Sequence, residues 1–523
     1  MQSGGLESLP QQIVEHLKDR GVLEPQVWSA VRGALNPKIL VSNLAEVFRM
    51  SESQTKEVLS SLGLSDLMAR IGLDAPTSGR PRGEGLDYFI SGDHTTPAPF
   101  SDLMSVVFSP PLETSIKVDP KLISSVDSIL KHVCSSSSDD VFASLYRQDV
   151  LAYYREFISN DSRLIDDYIA ANFKEFPKYV VNSGIGGNEQ FAHFVSYLNN
   201  SNPDRKALWI VTDSSRQLAA LPEDATEENT LFMEYSRSGK TEETVKIHEL
   251  TSRSLKRIVY ANSGPLFDLG KRDGNLILSI PEQVSGRFGR NKTPTLLATM
   301  YVCGMDTESF WKDIDTAIKE FDLTSSNSLP VLIAKFIYMF QQMNGINHIY
   351  LGYLGKSLMD VADEFVQFWD EGVNKNGNDL MMSRYIGLPR DSHSVVEGIL
   401  GNSKNKMGIF LFQKDPSFGK LPGFVLGEVD SISSLHKGIV LGEDETILTE
   451  ANFQRFSQVM PCIKITLLGK PNLHHAAILG QLWADITYVY SKIMNIDPGS
   501  NPEVKFVRDR SAELLAEYAK TKK

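Results

Sequence analysis

Cysteine is scarce: Cys134, Cys303 and Cys462 are the only three in 523 residues. An odd number without metal-ligand spacing supplies neither a disulfide framework nor a zinc site, and it suits a reducing compartment. Long apolar runs are lacking as well. No stretch approaches the ~20 apolar residues a membrane span needs, and residues 1–30 hold no apolar core of signal-peptide type. Nor is there a basic excess, since Asp and Glu outnumber Lys and Arg by 65 to 53 and the net charge is −12. That balance argues against a nucleic-acid surface, which wants a basic stripe, yet leaves room for a local basic pocket around one small phosphate. The absences predict a cytoplasmic protein that binds neither membrane nor nucleic acid.

What remains is an ordinary globular composition, 41% hydrophobic and 23% charged, in a chain long enough for two or three domains. Residues 1–73 read as a small all-helical extension, with apolar faces at Ile13, Leu17 and Val22, at Val27, Val31 and Leu35, and at Leu44, Val47 and Phe48. Residues 74–99, rich in Gly, Pro, Ser and Thr, read as an exposed linker. A helical lead-in is expected over 100–170, on Leu122, Val126 and Leu130, then Val141, Leu145, Val150 and Tyr154. From about residue 175 strands alternate with helices. Strands are expected at Tyr179–Val181, Leu208–Val211, Leu231–Met233, Arg257–Tyr260 and Leu276–Ile280. A second alternation begins at Asn347, with strands at His348–Leu351, Gly408–Phe412, Gly438–Val440 and Ile463–Leu467. The pattern predicts an α/β protein of two domains, 171–325 and 326–523, the second closing on a helical segment. Each would be a parallel sheet covered by helices on both faces.

The stretch Glu234-Tyr235-Ser236-Arg237-Ser238-Gly239-Lys240-Thr241 falls where a strand turns into a helix. Free N–H groups and the positive end of the macrodipole meet hydroxyls there, and the combination makes a socket for a phosphate dianion. Arg237 and Lys240 add cationic charge. Taken alone, the loop reads equally well as an ordinary N-cap with spare polar residues. About fifty residues earlier, Asn182-Ser183-Gly184-Ile185-Gly186-Gly187-Asn188-Glu189 follows another strand. Glycines there allow close backbone approach to a ligand, although the spacing is not the dinucleotide fingerprint.

Three further groups stand out. Gly286-Arg287 follows a strand; an arginine there can hold an oxyanion, or sit on the surface. Gln367, Glu371 and Lys375 are spaced four apart and would share one helix face. A carboxylate on that face, turned into a cleft, can move a proton between adjacent carbons. His393 lies in a Pro/Gly loop, Gly387 to Ser394, without apolar periodicity, where acid–base chemistry suits it. His474 and His475 open a helix and read as structural.

The glycine loop and hydroxyl loop in this order resemble the sugar-isomerase (SIS) domain, which holds phosphosugars. The resemblance widens to the glucose-6-phosphate isomerase family. Gly186-Gly187, Ser236-Arg237-Ser238-Gly239 with Thr241, Gly286-Arg287, Gln367 with Glu371 and Lys375, and His393-Ser394 appear in that family's order. Asn495 to Val504 is similar to its closing segment. The resemblance covers about 100–515 and implies two SIS-type domains. It implies a metal-independent aldose–ketose isomerisation of glucose 6-phosphate to fructose 6-phosphate through a cis-enediol, without cofactor, in glycolysis and gluconeogenesis, by a homodimer. By the same resemblance, Gly187, Asn188, Ser236, Arg237, Ser238, Thr241, Gln367 and Asn501 would bind substrate. Glu371 would carry the proton, Arg287 would stabilise the enediolate, and His393 would help open the ring. Arg508 would act on developing charge. Asn188, Lys240, Asn501 and Arg508 stand where the family has serine, threonine, glutamine and lysine. Those departures leave two alternatives: an isomerase of another hexose phosphate, or a phosphosugar-binding protein with little or no turnover.

Overall fold

Two five-stranded sheets organise the chain in the computed structural model, which describes residues 100–109, 120–137, 140–184, 189–212, 217–281, 288–292, 294–354, 358–375, 377–388, 390–414, 443–499 and 502–521. All fall within one compact unit, Glu84–Lys523. The expected helical extension (1–73), linker (74–99) and strand Gly438–Val440 lie outside the described residues.

The first sheet contains β2 (Tyr179–Ser183), β3 (Leu208–Thr212), β4 (Thr230–Tyr235), β5 (Lys256–Tyr260) and β6 (Leu276–Leu278). All are parallel, in the order β3-β2-β4-β5-β6. Central strands covered on both faces need continuous apolar sequence, and every residue of β2 and β4 is buried. The chain runs from β2 outward to β3, then returns to the other side of β2 as β4. The order therefore reverses between β2 and β4. In open α/β sheets a ligand crevice forms beyond the carboxyl ends of strands at such a reversal.

The second sheet contains β7 (His348–Leu354), β8 (Met381–Leu388), β9 (Lys406–Lys414) and β10 (Cys462–Leu468), all parallel. An edge strand far earlier in the chain, β1 (Met104–Ser109), pairs antiparallel with β10. The order is β1-β10-β9-β7-β8, so this sheet also reverses beside its first parallel strand, β7. The lead-in expected to be helical thus opens on a strand. The clue is a period of two: Met104, Val106 and Phe108 are buried while their neighbours are partly exposed. Strand β8 was also not anticipated. Its sequence, MMSRYIGL, carries serine and arginine, as an edge strand can.

Among the described residues the helices are α1 (Pro120–Ser137), α2 (Val141–Arg147), α3 (Val150–Ser159), α4 (Asp161–Asn172), α5 (Glu189–Asn200), α6 (Glu242–Leu250), α7 (Gly264–Arg272), α8 (Pro294–Cys303) and α9 (Thr307–Glu320). They continue as α10 (Leu329–Asn344), α11 (Met359–Val373), α12 (Val395–Leu400), α13 (Glu443–Val459), α14 (Leu473–Ile493) and α15 (Pro502–Thr521). Helix α14 is apolar nearly all round and runs through the core, touching α9, α10 and α11. Its start is fixed by a capping box between Asn472 and His475, and His475 Nε2 also bonds Leu103 O at 2.9 Å. His474 pairs with Asp313 at 2.5 Å, so both histidines serve the fold. One contiguous apolar core includes Leu231 and Met233 of the first sheet, Ile349 and Leu351 of the second, and Phe365, Phe368 and Trp483 between them. No helix among the described residues is long and apolar enough to cross a membrane.

Candidate active site

The hydroxyl loop leaves the carboxyl end of β4, one of the two strands at the reversal point. Glu234 and Tyr235 still belong to the strand, and Ser236 N extends its ladder by donating to Tyr260 O at 3.0 Å. The chain then turns sharply, with Gly239 N donating to Ser236 O at 2.8 Å. Gly239 has φ +62°, and a Cβ there would lie 1.7 Å from Ser263 O. Only glycine fits. The loop after β5 and the first turn of α7 support the turn, through Asn262 N to Arg237 O at 3.2 Å and Leu266 N to Gly239 O at 3.0 Å.

Thr241 is the N-cap of α6 but makes no side-chain capping bond. Its hydroxyl instead meets Ser236 Oγ at 2.7 Å, while its own N–H donates to that oxygen at 3.2 Å. The two hydroxyls carry two protons and only one lies between them, so the pair retains one O–H for a ligand. Ser238 is exposed, and its oxygen accepts Lys240 N at 3.3 Å. Arg237 and Lys240 are exposed, as are the first-turn acids Glu242 and Glu243. The junction brings together Ser236, Ser238 and Thr241 with cationic neighbours at a helix start.

The glycine loop leaves the other reversal strand, β2. Gly184 is its last described residue before α5; Gly187 and Asn188 lie outside the described residues. Below the loop, Asn182 Nδ2 donates to Thr299 Oγ1 at 3.3 Å, and Thr299 also bonds the Tyr235 hydroxyl at 2.7 Å. Helix α8 thereby ties the ends of both reversal strands to one point.

Helix α11 carries Gln367 and Glu371, both half-buried, with Gln367 Nε2 donating to Glu371 Oε1 at 2.9 Å. That bond orients the carboxylate. The Gln367 carbonyl oxygen is shielded from solvent without a hydrogen-bond partner among the described residues. Lys375 does not share this face. The helix ends at Val373, whose carbonyl accepts Lys375 N at 3.0 Å and Asn378 Nδ2 at 2.7 Å, so the chain turns before the third member of the spacing. The neighbouring Asp370 was missed by sequence reasoning. Burial raises its carboxyl to about 6, partly offset by the bond it accepts from Met382 N at 2.9 Å.

Arg287 and Asn501 lie outside the described residues. Phe288, next in the chain after Arg287, packs edge-to-face on Phe368 of α11 with ring centroids 5.2 Å apart. Asn291 Nδ2 donates to Gln481 Oε1 at 2.7 Å, and Trp311 Nε1 donates to Asn291 O at 3.1 Å. The backbone following Arg287 is thus moored to the helix bearing Glu371 and to α14.

His393 closes a 3-10 turn, Arg390–His393, rather than a plain loop, and Gly387–Leu388 finish β8. The turn is built on Asp391, whose carboxylate accepts Gly387 N at 2.8 Å and Arg390 Nε at 2.9 Å. Arg390 holds that carboxyl below its ordinary value. Arg508 lies in α15, which exposes Phe506 and Val507. The side chains of His393 and Arg508 are outside the described set.

The hydroxyl junction and the Gln367–Glu371 pair thus sit on one structural body. Helix α5, which follows the glycine loop, packs against α11 and α14. Thiol chemistry has no place in it, because Cys134, Cys303 and Cys462 are all buried and burial pushes each thiol up from its ordinary value.

Two sheets flanked by helices, the first all parallel and the second parallel but for its edge strand β1, each reversing beside its first parallel strand, make a double SIS-type α/β fold. No protein-family model matches the chain. In sequence it is 24% identical over 306 residues to the glucose-6-phosphate isomerase of Methanocaldococcus jannaschii, covering 56% of this chain and 73% of that protein. In structure it is similar to a hypothetical protein from Thermus thermophilus, with TM-score 0.60, 17% identity, 79% of this chain and all of that one. It is also similar to a glucose-6-phosphate isomerase from Chlamydia trachomatis, with TM-score 0.57, 12% identity, 80% of this chain and 89% of that one.

Proposed function

We propose that the protein is an aldose–ketose isomerase interconverting glucose 6-phosphate and fructose 6-phosphate. The observation that carries this reading is the pairing of two devices on one core. At the reversal point of the first sheet, Ser236 and Thr241 present hydroxyls at a helix start. On α11, Gln367 orients the Glu371 carboxylate. The phosphate grip supplies remote binding energy that positions the reacting carbons. Glu371 takes the proton from C2 of the open-chain sugar and returns it to C1 through a cis-enediol. Arg287 stabilises the enediolate oxygen, and His393 assists ring opening. A placed base contributes ~10²–10⁴-fold to the rate. The M. jannaschii relative supports this choice of substrate. We further propose a homodimer acting in glycolysis and gluconeogenesis in the cytoplasm.

A second reading, binding of a phosphosugar with little turnover, is favoured by Arg508 and Asn188. Arginine keeps its charge but does not readily release a proton. Purified protein given fructose 6-phosphate, with glucose 6-phosphate read out by a coupled dehydrogenase, separates the two. Turnover supports the isomerase. Tight binding without turnover supports the second reading, and faster conversion of another hexose phosphate redirects the substrate assignment.

A further inference from the structure

Beneath the hydroxyl loop lies a buried set of charges with no solvent contact of consequence. Glu234, on β4, precedes Ser236 by two residues and is fully buried. His248, on α6, turns Nδ1 to Glu234 Oε2 at 2.5 Å and Nε2 to Asp273 Oδ2 at 3.2 Å. Arg257, on β5, donates through Nε to the other Glu234 oxygen at 3.2 Å. It also reaches Thr251 Oγ1 at 2.5 Å, Ser252 O at 2.9 Å and Leu255 O at 3.0 Å, clasping the end of α6. Asp273 is completed by Arg272, with bonds of 2.6 and 2.7 Å.

The two nitrogens of the His248 ring each face a carboxylate oxygen, so one side chain bridges Glu234 and Asp273. Glu234 faces His248 and Arg257, and Asp273 faces His248 and Arg272, so neither carboxylate is left without a partner. The placement of these groups matters more than their count. Strand β4 and helix α6 are joined at the loop by Ser236–Thr241 and below it by Glu234–His248. Two fastenings fix the tilt of α6, and with it the direction of the N–H groups at its start.

We propose that His248, bridging Glu234 and Asp273, is a positioning residue for the phosphate grip at Ser236–Thr241. The inference rests on the phosphate role assigned to that loop above. It assigns to His248 an effect on binding rather than on proton transfer.

The test uses full-length protein, with inorganic phosphate as probe and fructose 6-phosphate as substrate. His248→Gln is expected to weaken phosphate binding by about tenfold, the scale of one hydrogen bond to a charged group. KM for the sugar should rise in parallel, with kcat falling less than KM rises. In wild-type protein the ¹⁵N signals of the His248 ring should move on saturation with inorganic phosphate, a readout that stands even if the variant does not fold. Ring signals unmoved at saturating phosphate would overturn the proposal. So would a variant that melts earlier yet binds phosphate like wild type, since its role would be structural only. Wild-type protein that binds no phosphate overturns this proposal together with the phosphate reading; wild-type binding with an unmoved variant overturns this proposal alone.

Discussion

The junction at Ser236–Thr241 and the helix bearing Gln367 and Glu371 have the same task, holding a few polar atoms still, and the chain secures them by different chemistry. Under the junction the fastening is charge: Glu234, His248, Arg257 and Asp273 converge in a dry space. Around α11 it is aromatic. Trp483 stacks on Phe365 with centroids 3.8 Å apart and planes 4° from parallel, and its Nε1 donates to Phe365 O at 2.8 Å. Phe288 meets Phe368, and Trp369 packs on Tyr490 at 4.7 Å. A charge network is close to all-or-none, because removing one member strands the others. Aromatic packing fails by degrees, with the volume of the cavity left behind. Damage to the first should therefore appear as lost phosphate affinity, and damage to the second as lost stability and misplacement of Glu371.

The largest expected effect tests the chemical half directly. Glu371→Gln keeps the shape and the bond from Gln367 but removes the base, and should lower kcat by ~10²–10⁴-fold. Phosphate and sugar-phosphate affinity should hold. Retained turnover would take Glu371 out of its assigned role and remove the contrast with the junction.

Next comes the aromatic fastening. Trp483→Ala removes a fully buried side chain and should cost about 3–5 kcal/mol of unfolding free energy, measured by denaturant titration. In whatever fraction remains folded, phosphate affinity should match wild type. If affinity falls as far as stability, the two regions are one mechanical unit and the distinction fails.

A single backbone position sharpens the junction side. Gly239→Ala puts a methyl group against Ser263 O and strains φ +62°. A cost of about 1–3 kcal/mol at that turn corresponds to roughly tenfold or more in phosphate binding if the loop must shift. An unchanged phosphate affinity, measured by calorimetry, would show that this turn does not shape the socket.

How far the molecule could be read from its residues differs along the same division. Strands β2 to β6 were legible, the edge strands β3 and β6 included, because each carries a short, continuous apolar run between turn residues. Edge strands β1 and β8 were not, since β1 shows only a six-residue alternation and β8 mixes methionines with Ser383 and Arg384. The hydroxyls of the junction and the Gln367–Glu371 pair were visible as residue types at local spacing. The end of α11 before Lys375 was not, because a capping bond from Asn378 decides it. The charge cluster escaped altogether. Glu234 meets His248 14 residues away and Arg257 23 residues away, and its partner in turn meets Asp273 25 residues on. Separations set by sheet packing leave no local pattern, and single charged residues on amphipathic elements read as solvated.

The smallest expected effect concerns Asp370, beside Glu371 but turned to Met382 N of β8. Its carboxyl stands at about 6 in the fold, against an ordinary value near 3.8. The folded protein then binds this proton more tightly than the unfolded chain does. The stability contributed by that proton is fully present below the ordinary value and is lost as pH rises through about 6. Above that the fold carries a desolvated charge. Asp370→Asn keeps an oxygen for Met382 N and removes the charge, so its melting temperature relative to wild type should improve from pH 5 to pH 8. The direction matters for the comparison. Under the junction, Asp273 lies far below its ordinary value because Arg272 and His248 bond it, so neutralising that acid should destabilise at pH 8. Parallel melts of Asp370→Asn and Asp273→Asn at both pH values should move in opposite senses at pH 8. If both variants lose stability equally there, Asp370 is held by a charge partner of its own, and the aromatic side of the site is not free of electrostatic fastening.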